Sequence, residues 1–210
     1  KCVCGQLLVQ GDKSCANCGR GQYMPSPIRA IGRALGGLTP DEFPGTKFIG
    51  VLIIIGYLVQ LSYGGGGLMS PNNDVEFFEL GWSFPGLTNG QQIWRGFTYT
   101  LLHGGLMHIA FNVYALYQVG PLVERVFGTG RFLFGYILAG FLAALGPLWL
   151  GMNQPVVGAS GAVFGLIGMA LIFGHRIGTP EGKALRDVMI RWTVYCTIFG
   201  FAMGGVAHGA

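Results

Sequence analysis

Positions 48–63 read FIGVLIIIGYLVQLSY, an apolar run without a charged residue. A helix built from this stretch has no polar face, because residues 51–55 and 57–59 place apolar side chains on every side. A soluble helical bundle would need such a face toward water, so the run predicts a helix surrounded by lipid. The whole chain shares this bias: 51% of its 210 residues are hydrophobic and 10% are charged, against about 25% charged in an ordinary soluble domain.

Further apolar runs follow along the chain. We predict an all-α polytopic membrane protein with six helices, at about 48–63, 106–122, 132–150, 160–173, 188–201 and 203–210. A full span needs about 20 residues, so we expect the sixth helix to be incomplete. The chain also begins with Lys1 rather than Met, and we expect it to be part of a longer protein. Its 38 glycines favour closely packed membrane helices.

The distribution of Lys and Arg predicts the orientation. With the amino terminus inside, the inner segments hold eleven of these residues and the outer segments only Arg95, as the positive-inside rule requires. We therefore expect an integral protein of the plasma or inner membrane with a cytoplasmic amino terminus. A nucleic-acid partner is disfavoured, because the basic residues are spread along the chain. The outer loop, about residues 64–104, is long enough to carry local structure or function of its own.

The amino-terminal segment differs in kind from the rest. Residues 1–22 predict a small zinc-ribbon module, because two cysteine pairs can converge on one tetrahedral structural zinc. Residues 23–46 read as a linker before the membrane domain at 47–210. The fifth cysteine, Cys196, is expected to be a small core residue. The four predicted zinc ligands are Cys2, Cys4, Cys15 and Cys18.

Polar residues inside the apolar runs are the candidates for a site, since each must be satisfied within the protein or line a wet cavity. The second, fourth and sixth runs all pass from outside to inside, so their first residues share one depth near the outer surface. At 14 residues, the fourth run is about 21 Å long, which would place its first residue several Å below that surface. The residues that converge there are His103, His108, Asn112, Ser160 and His208.

Ser160 lies in the segment Gly158-Ala-Ser-Gly161 at the start of the fourth run. Small neighbours leave its hydroxyl accessible, and a helix amino terminus favours a developing oxyanion. A serine nucleophile also needs a base, for which His208 and His108 are the candidates. His108 and Asn112 share one helix face and could instead bind the oxyanion, which would leave His208 as the base. The pattern predicts a Ser-His dyad.

These residues stand within a longer ordered set of motifs. In order and spacing, over about residues 45–210, the set resembles the rhomboid family of intramembrane serine proteases. The resemblance implies a six-helix rhomboid-like bundle. The motifs are Trp94-Arg95, the run HGGLMHIAFN at 103–112, Glu124-Arg125 with Gly128 and Arg131-Phe132, Gly158-Ala-Ser160-Gly161, and Ala207-His208.

The resemblance also implies roles. Ser160 would be the nucleophile and His208 the general base, while His108, Asn112 and the Ser160 N–H would form the oxyanion hole. The reaction would hydrolyse peptide bonds in transmembrane segments of other proteins, near their outer ends, with no cofactor. Supporting residues would be Trp94 and Arg95 in the loop beside the site, Glu124 and Arg125 bracing the inner loop, His103, Gly158 and Gly161 within the motifs, and Phe164 one turn after the serine.

Two alternatives remain from other classes. A catalytically inactive rhomboid-like protein that binds membrane clients would be expected to lack the serine or the histidine, and this sequence has both. A transporter would need polar residues that continue inward along a path, whereas here they stop at the outer level. A membrane metalloprotease is disfavoured, because Gly104 stands where an HExxH motif would have its glutamate.

Overall fold

The structure, a computed structural model, describes residues 43–64, 67–69, 72–84, 86, 90–151 and 154–207, the last five by backbone alone. The predicted zinc ligands Cys2, Cys4, Cys15 and Cys18, most of the linker, and His208 lie outside the described residues.

Regular structure in this part of the chain is helical, as expected for an all-α protein, and one isolated antiparallel bridge pairs Ser83 with Val156. The helices are α1 (Pro44–Tyr63), α2 (Asp74–Leu80), α3 (Arg95–Thr98), a 3-10 turn (Tyr99–Leu101), α4 (Leu106–Phe127), α5 (Thr129–Ala144), α6 (Gly146–Trp149), α7 (Ser160–Ile177) and α8 (Pro180–Ala207). The long loop before α4 carries local structure, as expected from its length.

The first helix begins earlier than predicted. Pro44, assigned to the linker from sequence, is the first residue of α1, where its fixed φ suits a helix start. The backbone N–H groups of Gly45 and Thr46 donate to the carboxylate of Glu124, at 2.9 and 2.8 Å. A distant side chain therefore caps this helix, which local sequence does not reveal.

Two other boundaries differ from the prediction. The run at 132–150 is not one helix, because α5 ends at Ala144 and Pro147 lies in the separate short α6; proline has no N–H to continue the helical hydrogen bonds. The break expected near Ala202 is absent. Helix α8 continues to Ala207, and no proline separates the two runs. Six membrane helices are thus not confirmed in the described residues.

Helix α7 has 18 residues and ends before Gly178, whose φ of 69° is left-handed. The predicted helix ended at Phe173, but the basic residues His175 and Arg176 form its last turn, where cations suit the helix dipole. Its length is about 27 Å, close to the thickness of a bilayer core. The depth inferred for Ser160 assumed a shorter helix, and that assumption is wrong.

Helices α5 and α7 approach each other through small residues. Gly161 and Gly165 of α7 face Ala143 and Ala139 of α5 so closely that a Cβ on either glycine would overlap the facing methyl group. This is the close packing expected from the glycine content. Helix α7 also contacts α4 and α8.

Three of the described helices are long and apolar enough to cross a membrane by length and composition: α1, α4 and α7. Helix α5 is apolar but shorter. Their outward sides carry large exposed apolar residues, among them Ile55, Tyr114 and Ile172, as lipid contact requires.

Candidate active site

Ser160 is the first residue of α7, and its side chain is exposed. The chain reaches it through Gly158, which has a φ of 109°, and Ala159, which is fully buried. The N–H of Gly158 donates to the carbonyl of Tyr99 at 3.0 Å. A left-handed glycine suits this turn, and the turn places the serine at a helix amino terminus.

The ring of His108 lies against Gly158. A Cβ built on this glycine would be 2.8 Å from both Cε1 and Nε2 of His108, and 3.8 Å from Nδ2 of Asn112. The structure therefore brings His108 and Asn112 of α4 to the backbone two residues before Ser160. This part of the predicted convergence is present.

Hydrogen bonds define the direction of both side chains. The N–H of Gly104 donates to Nδ1 of His108 at 3.3 Å. A neutral imidazole that accepts at Nδ1 carries its proton on Nε2, so the donor nitrogen is the one that faces Gly158. One N–H of the Asn112 amide donates to the His108 carbonyl at 2.9 Å, which leaves its second N–H for a ligand. Two N–H donors can thus serve an oxyanion here.

His103 lies behind His108 and is fully buried. The two rings meet edge to face with centroids 5.1 Å apart. Neither His103 nitrogen has a hydrogen-bond partner of ordinary geometry in the described residues. Burial, with a smaller effect from His108, lowers the pKa of His103 to about 3, against a weaker opposing effect of the Leu101 backbone. His103 is therefore neutral and buried.

Gln60 is a polar residue of this region that the sequence analysis missed. It lies in α1 and is fully buried, and its amide forms two hydrogen bonds with the backbone of His103. The available signal was an uncharged polar residue inside the apolar run at 48–63. The same criterion that selected His108 and Asn112 would have selected it.

The loop before α4 is joined to the segment before Ser160. Ser83 and Val156 exchange backbone hydrogen bonds of 3.1 and 2.8 Å. The hydroxyl of Ser83 also donates to the carbonyl of Ala144, at 3.3 Å. Together with the bond from Gly158 to Tyr99, these contacts hold the loop against the serine segment.

Trp94 and Arg95 organise this loop internally. The guanidinium of Arg95 donates to the carbonyls of Phe78 at 2.7 Å and Trp82 at 3.2 Å, and it also bonds the Gln92 side chain. It lies 4.4 Å from the ring centroid of Phe78 and 4.7 Å from that of Trp94. Arg95 is buried, whereas Trp94 is about half exposed. Both residues therefore act on the shape of the loop.

Glu124 and Arg125 have different partners. The Glu124 carboxylate accepts from the Thr46 hydroxyl at 2.9 Å and the Thr129 hydroxyl at 2.7 Å, besides the two N–H groups of α1. It therefore joins α1, α4 and α5. Arg125 instead lies over the ring of Phe43, 5.1 Å from its centroid. Bracing of the inner loop by the two residues together stays a prediction.

Other predicted residues have simpler surroundings. Phe164 is half-buried and packs against the core, and Cys196 is buried, as expected. Gly161 faces Ala143, and a Cβ there would lie 3.2 Å from the Tyr99 hydroxyl. Among the described residues no cluster of His, Cys, Asp and Glu could hold a metal ion.

Comparison with known proteins is consistent with this geometry. A family model described as a rhomboid domain matches residues 90–210. The rhomboid protease GluP of Bacillus subtilis is 36% identical over 124 residues, which cover 59% of this chain and 23% of that protein. The rhomboid protease GlpG of Pectobacterium atrosepticum is 31% identical over 135 residues, covering 61% of this chain and 48% of that protein.

A plant relative has a different description. The inactive RHOMBOID-like protein 8 of Arabidopsis thaliana is 37% identical over 91 residues, covering 43% of this chain and 26% of that protein. The chain thus spans between about a quarter and about half of the length of these three relatives.

Proposed function

The chain belongs to the rhomboid family, and on that premise we propose that it is an intramembrane serine endopeptidase with a Ser160–His208 dyad. Its family and its apolar helices make it an integral membrane protein. The observation that carries the proposal is the position of His108 and Asn112 beside Gly158, next to the serine at the start of α7.

In the proposed reaction, each of these residues has one role, and that of His208 comes from the family resemblance. The Ser160 Oγ attacks the carbonyl carbon of the substrate peptide bond while His208 accepts its proton. The oxyanion receives hydrogen bonds from His108 Nε2–H, Asn112 Nδ2–H and the Ser160 N–H. His208 then protonates the leaving amine, and water hydrolyses the acyl-enzyme by the same route. No cofactor is needed for these steps.

The donors are suited to a developing charge. Nδ1 of His108 is occupied by the Gly104 N–H, so the proton stays on Nε2, where the oxyanion would form. Helix α7 adds the positive end of its dipole. Removal of a single such donor lowers kcat by about 100-fold or more in serine proteases.

Substrates in this proposal are transmembrane segments of other proteins, cut near their outer ends where small residues let the helix unwind. The amino terminus is cytoplasmic and the site opens to the other side, because Lys and Arg are concentrated in the inner segments. A glycosylation site inserted in the loop at 64–104 tests this orientation. Modification is expected there and not in the segment between α7 and α8.

Zinc in the amino-terminal segment is a separate proposal. The spacing of Cys2, Cys4, Cys15 and Cys18 suits one structural zinc with no part in catalysis. Metal analysis of the purified chain should find about one zinc per molecule, and the variant Cys15→Ser should lose it. Absence of zinc from the unmodified chain would refute this proposal alone.

A fluorophosphonate probe tests the nucleophile directly, since it forms a covalent bond with an activated serine. We expect labelling of the unmodified protein and none in Ser160→Ala or His208→Ala. Ser62→Ala is the matched control, because Ser62 is exposed and donates only to its own helix. Labelling that persists in His208→Ala would contradict the dyad, and an unlabelled parent chain would favour an inactive client-binding protein.

A further inference from the structure

We infer that Gln60 is a positioning residue, which sets the tautomer and direction of the His108 ring through the peptide that joins His103 to Gly104. The inference rests on the proposed function in one respect: it affects catalysis only if His108 binds the oxyanion. Its geometric part concerns the protein alone and can be measured without a substrate.

The Gln60 side chain contacts the backbone of His103 through two hydrogen bonds. The Gln60 Oε1 accepts from the His103 N–H at 2.9 Å, and the Gln60 Nε2 donates to the His103 carbonyl at 2.6 Å. Both residues are fully buried. A primary amide that pairs with both backbone groups of one residue holds that residue in a single orientation, and loss of either bond would leave a buried polar group unsatisfied.

The peptide unit between His103 and Gly104 connects Gln60 to His108. The His103 carbonyl and the Gly104 N–H belong to the same planar group and point in opposite directions. Gln60 holds the carbonyl on one side, and the N–H on the other side donates to Nδ1 of His108 at 3.3 Å. Rotation of this plane would break both bonds together. Gln60 therefore controls a hydrogen bond in which it takes no direct part.

The bond from the Gly104 N–H determines the tautomer of the His108 imidazole. While Nδ1 accepts from Gly104, the proton of neutral His108 lies on Nε2, which faces Gly158. Without that bond the proton can move to Nδ1, and Nε2 would then present a lone pair to the oxyanion. The tautomer therefore decides whether His108 stabilises or repels the developing charge.

The surrounding groups do not provide a substitute for Gln60. His103 is buried and offers no bond to the His108 nitrogens, since neither of its own nitrogens has a hydrogen-bond partner of ordinary geometry in the described residues. Glu76 is linked to the backbone of Gln60 through Asn72, and the Tyr57 hydroxyl donates to the Leu68 carbonyl. These groups, together with His103 and His108, are the titratable side chains near Gln60 in the part of the chain that the structure describes, and each is present in the parent chain and in the variants below.

The variant Gln60→Met removes both hydrogen bonds at similar volume. Nitrogen NMR of the histidine-labelled protein, with His108 assigned by comparison with His108→Ala, reports which ring nitrogen carries the proton. We expect Nδ1 of His108 to be unprotonated in the parent chain and substantially protonated in Gln60→Met. In cleavage, kcat should fall about tenfold or more while KM changes little, because the lost donor acts in the transition state.

The variant Gln60→Glu separates positioning from packing. A neutral carboxyl can accept from the His103 N–H and donate to its carbonyl, whereas the ionised form can only accept. Lowering the pH protonates the carboxyl and restores the bond to the His103 carbonyl. The ratio of kcat in Gln60→Glu to kcat in the parent should therefore rise as pH falls, and that in Gln60→Met should stay flat.

Thr46→Val is the matched control on the same helix, because it removes a hydrogen bond to Glu124 at the opposite end of α1. It should lower stability and leave the His108 tautomer and the kcat of folded enzyme unchanged. An unprotonated Nδ1 in Gln60→Met, or parallel pH profiles for parent and Gln60→Glu, would overturn the inference. A parent chain without protease activity that shows the expected tautomer change would refute the proposed function and retain the positioning role.

Discussion

The imidazole of His108 lies on the face of Gly158, so close that a methyl group on this glycine would be 2.8 Å from Cε1 and Nε2. Gly158 also has a φ of 109°, which L-residues rarely adopt. Two independent requirements, one of space and one of backbone conformation, therefore meet at a residue two positions before Ser160.

Gly158→Ala should violate both requirements. The added methyl group would displace His108 or change the turn before α7, so we expect cleavage activity to fall by about 100-fold, comparable to loss of one oxyanion donor. Gly168→Ala is the control, since no atom lies within 4 Å of its Cβ position. It should keep full activity and gain about 0.5–1 kcal/mol of stability as a helix-interior glycine. Equal activity in both variants would contradict the close contact.

The Glu124 carboxylate predicts a large effect on stability at the opposite end of α4. Glu124→Gln replaces one acceptor by an N–H donor that faces the N–H groups of Gly45 and Thr46. We expect the free energy of unfolding to fall by about 2–4 kcal/mol, since hydrogen bonds to a charged group are lost. Unfolding in mixed micelles measures this. Arg125→Gln changes the exposed neighbouring residue and should alter stability little. Similar losses of stability in Glu124→Gln and Arg125→Gln would contradict the capping of α1 by Glu124.

The contact of Gly165 with Ala139 predicts a compensating pair. Gly165→Ala should destabilise the protein by about 1–3 kcal/mol, because two methyl groups would occupy one space. Ala139→Gly in the same chain should restore much of this loss by removing the facing methyl group. A double-mutant cycle of unfolding free energies gives the coupling. Additive effects of the two substitutions would show that the helices are not in contact there.

The buried His103 predicts loss of stability in acid. Its pKa is lowered to about 3 in the folded protein, against about 6.5 in an unfolded chain. Between these values the unfolded state binds more protons, so the stabilising contribution is complete above pH 6.5 and declines as pH falls toward 3. The slope from this group is at most about 1.4 kcal/mol per pH unit. His103→Asn should flatten the dependence of the unfolding free energy on pH between about pH 4 and 6. An unchanged slope would show that another group, not His103, takes up the proton on unfolding.

Several residues of the candidate site could be predicted from the sequence, because polar residues are rare in apolar runs and therefore informative. His108, Asn112 and Ser160 were selected on that ground, and the described structure brings the first two to the segment that leads into the third. Gln60 met the same criterion, but its role depends on a backbone partner 43 residues away. Local pattern carries no signal of such a pairing.

The predicted helix boundaries were wrong where a distant contact or a single residue sets the end of a helix. The start of α1 at Pro44 depends on a carboxylate from α4, and the end of α5 depends on the proline that follows. The break expected near Ala202 was inferred only from the division of the sequence into two apolar runs, and no residue that stops a helix stands there. Close approach of α5 and α7 was indicated by glycine content, whereas the facing pairs required the fold.

Cleavage of a reporter transmembrane segment by the reconstituted protein decides whether Ser160 is the nucleophile of a protease. We expect cleavage by the parent chain and by Ser62→Ala, and none by Ser160→Ala at equal expression and folding. Cleavage by Ser160→Ala at the parent rate would contradict the assignment of Ser160 as the nucleophile and with it the proposed function.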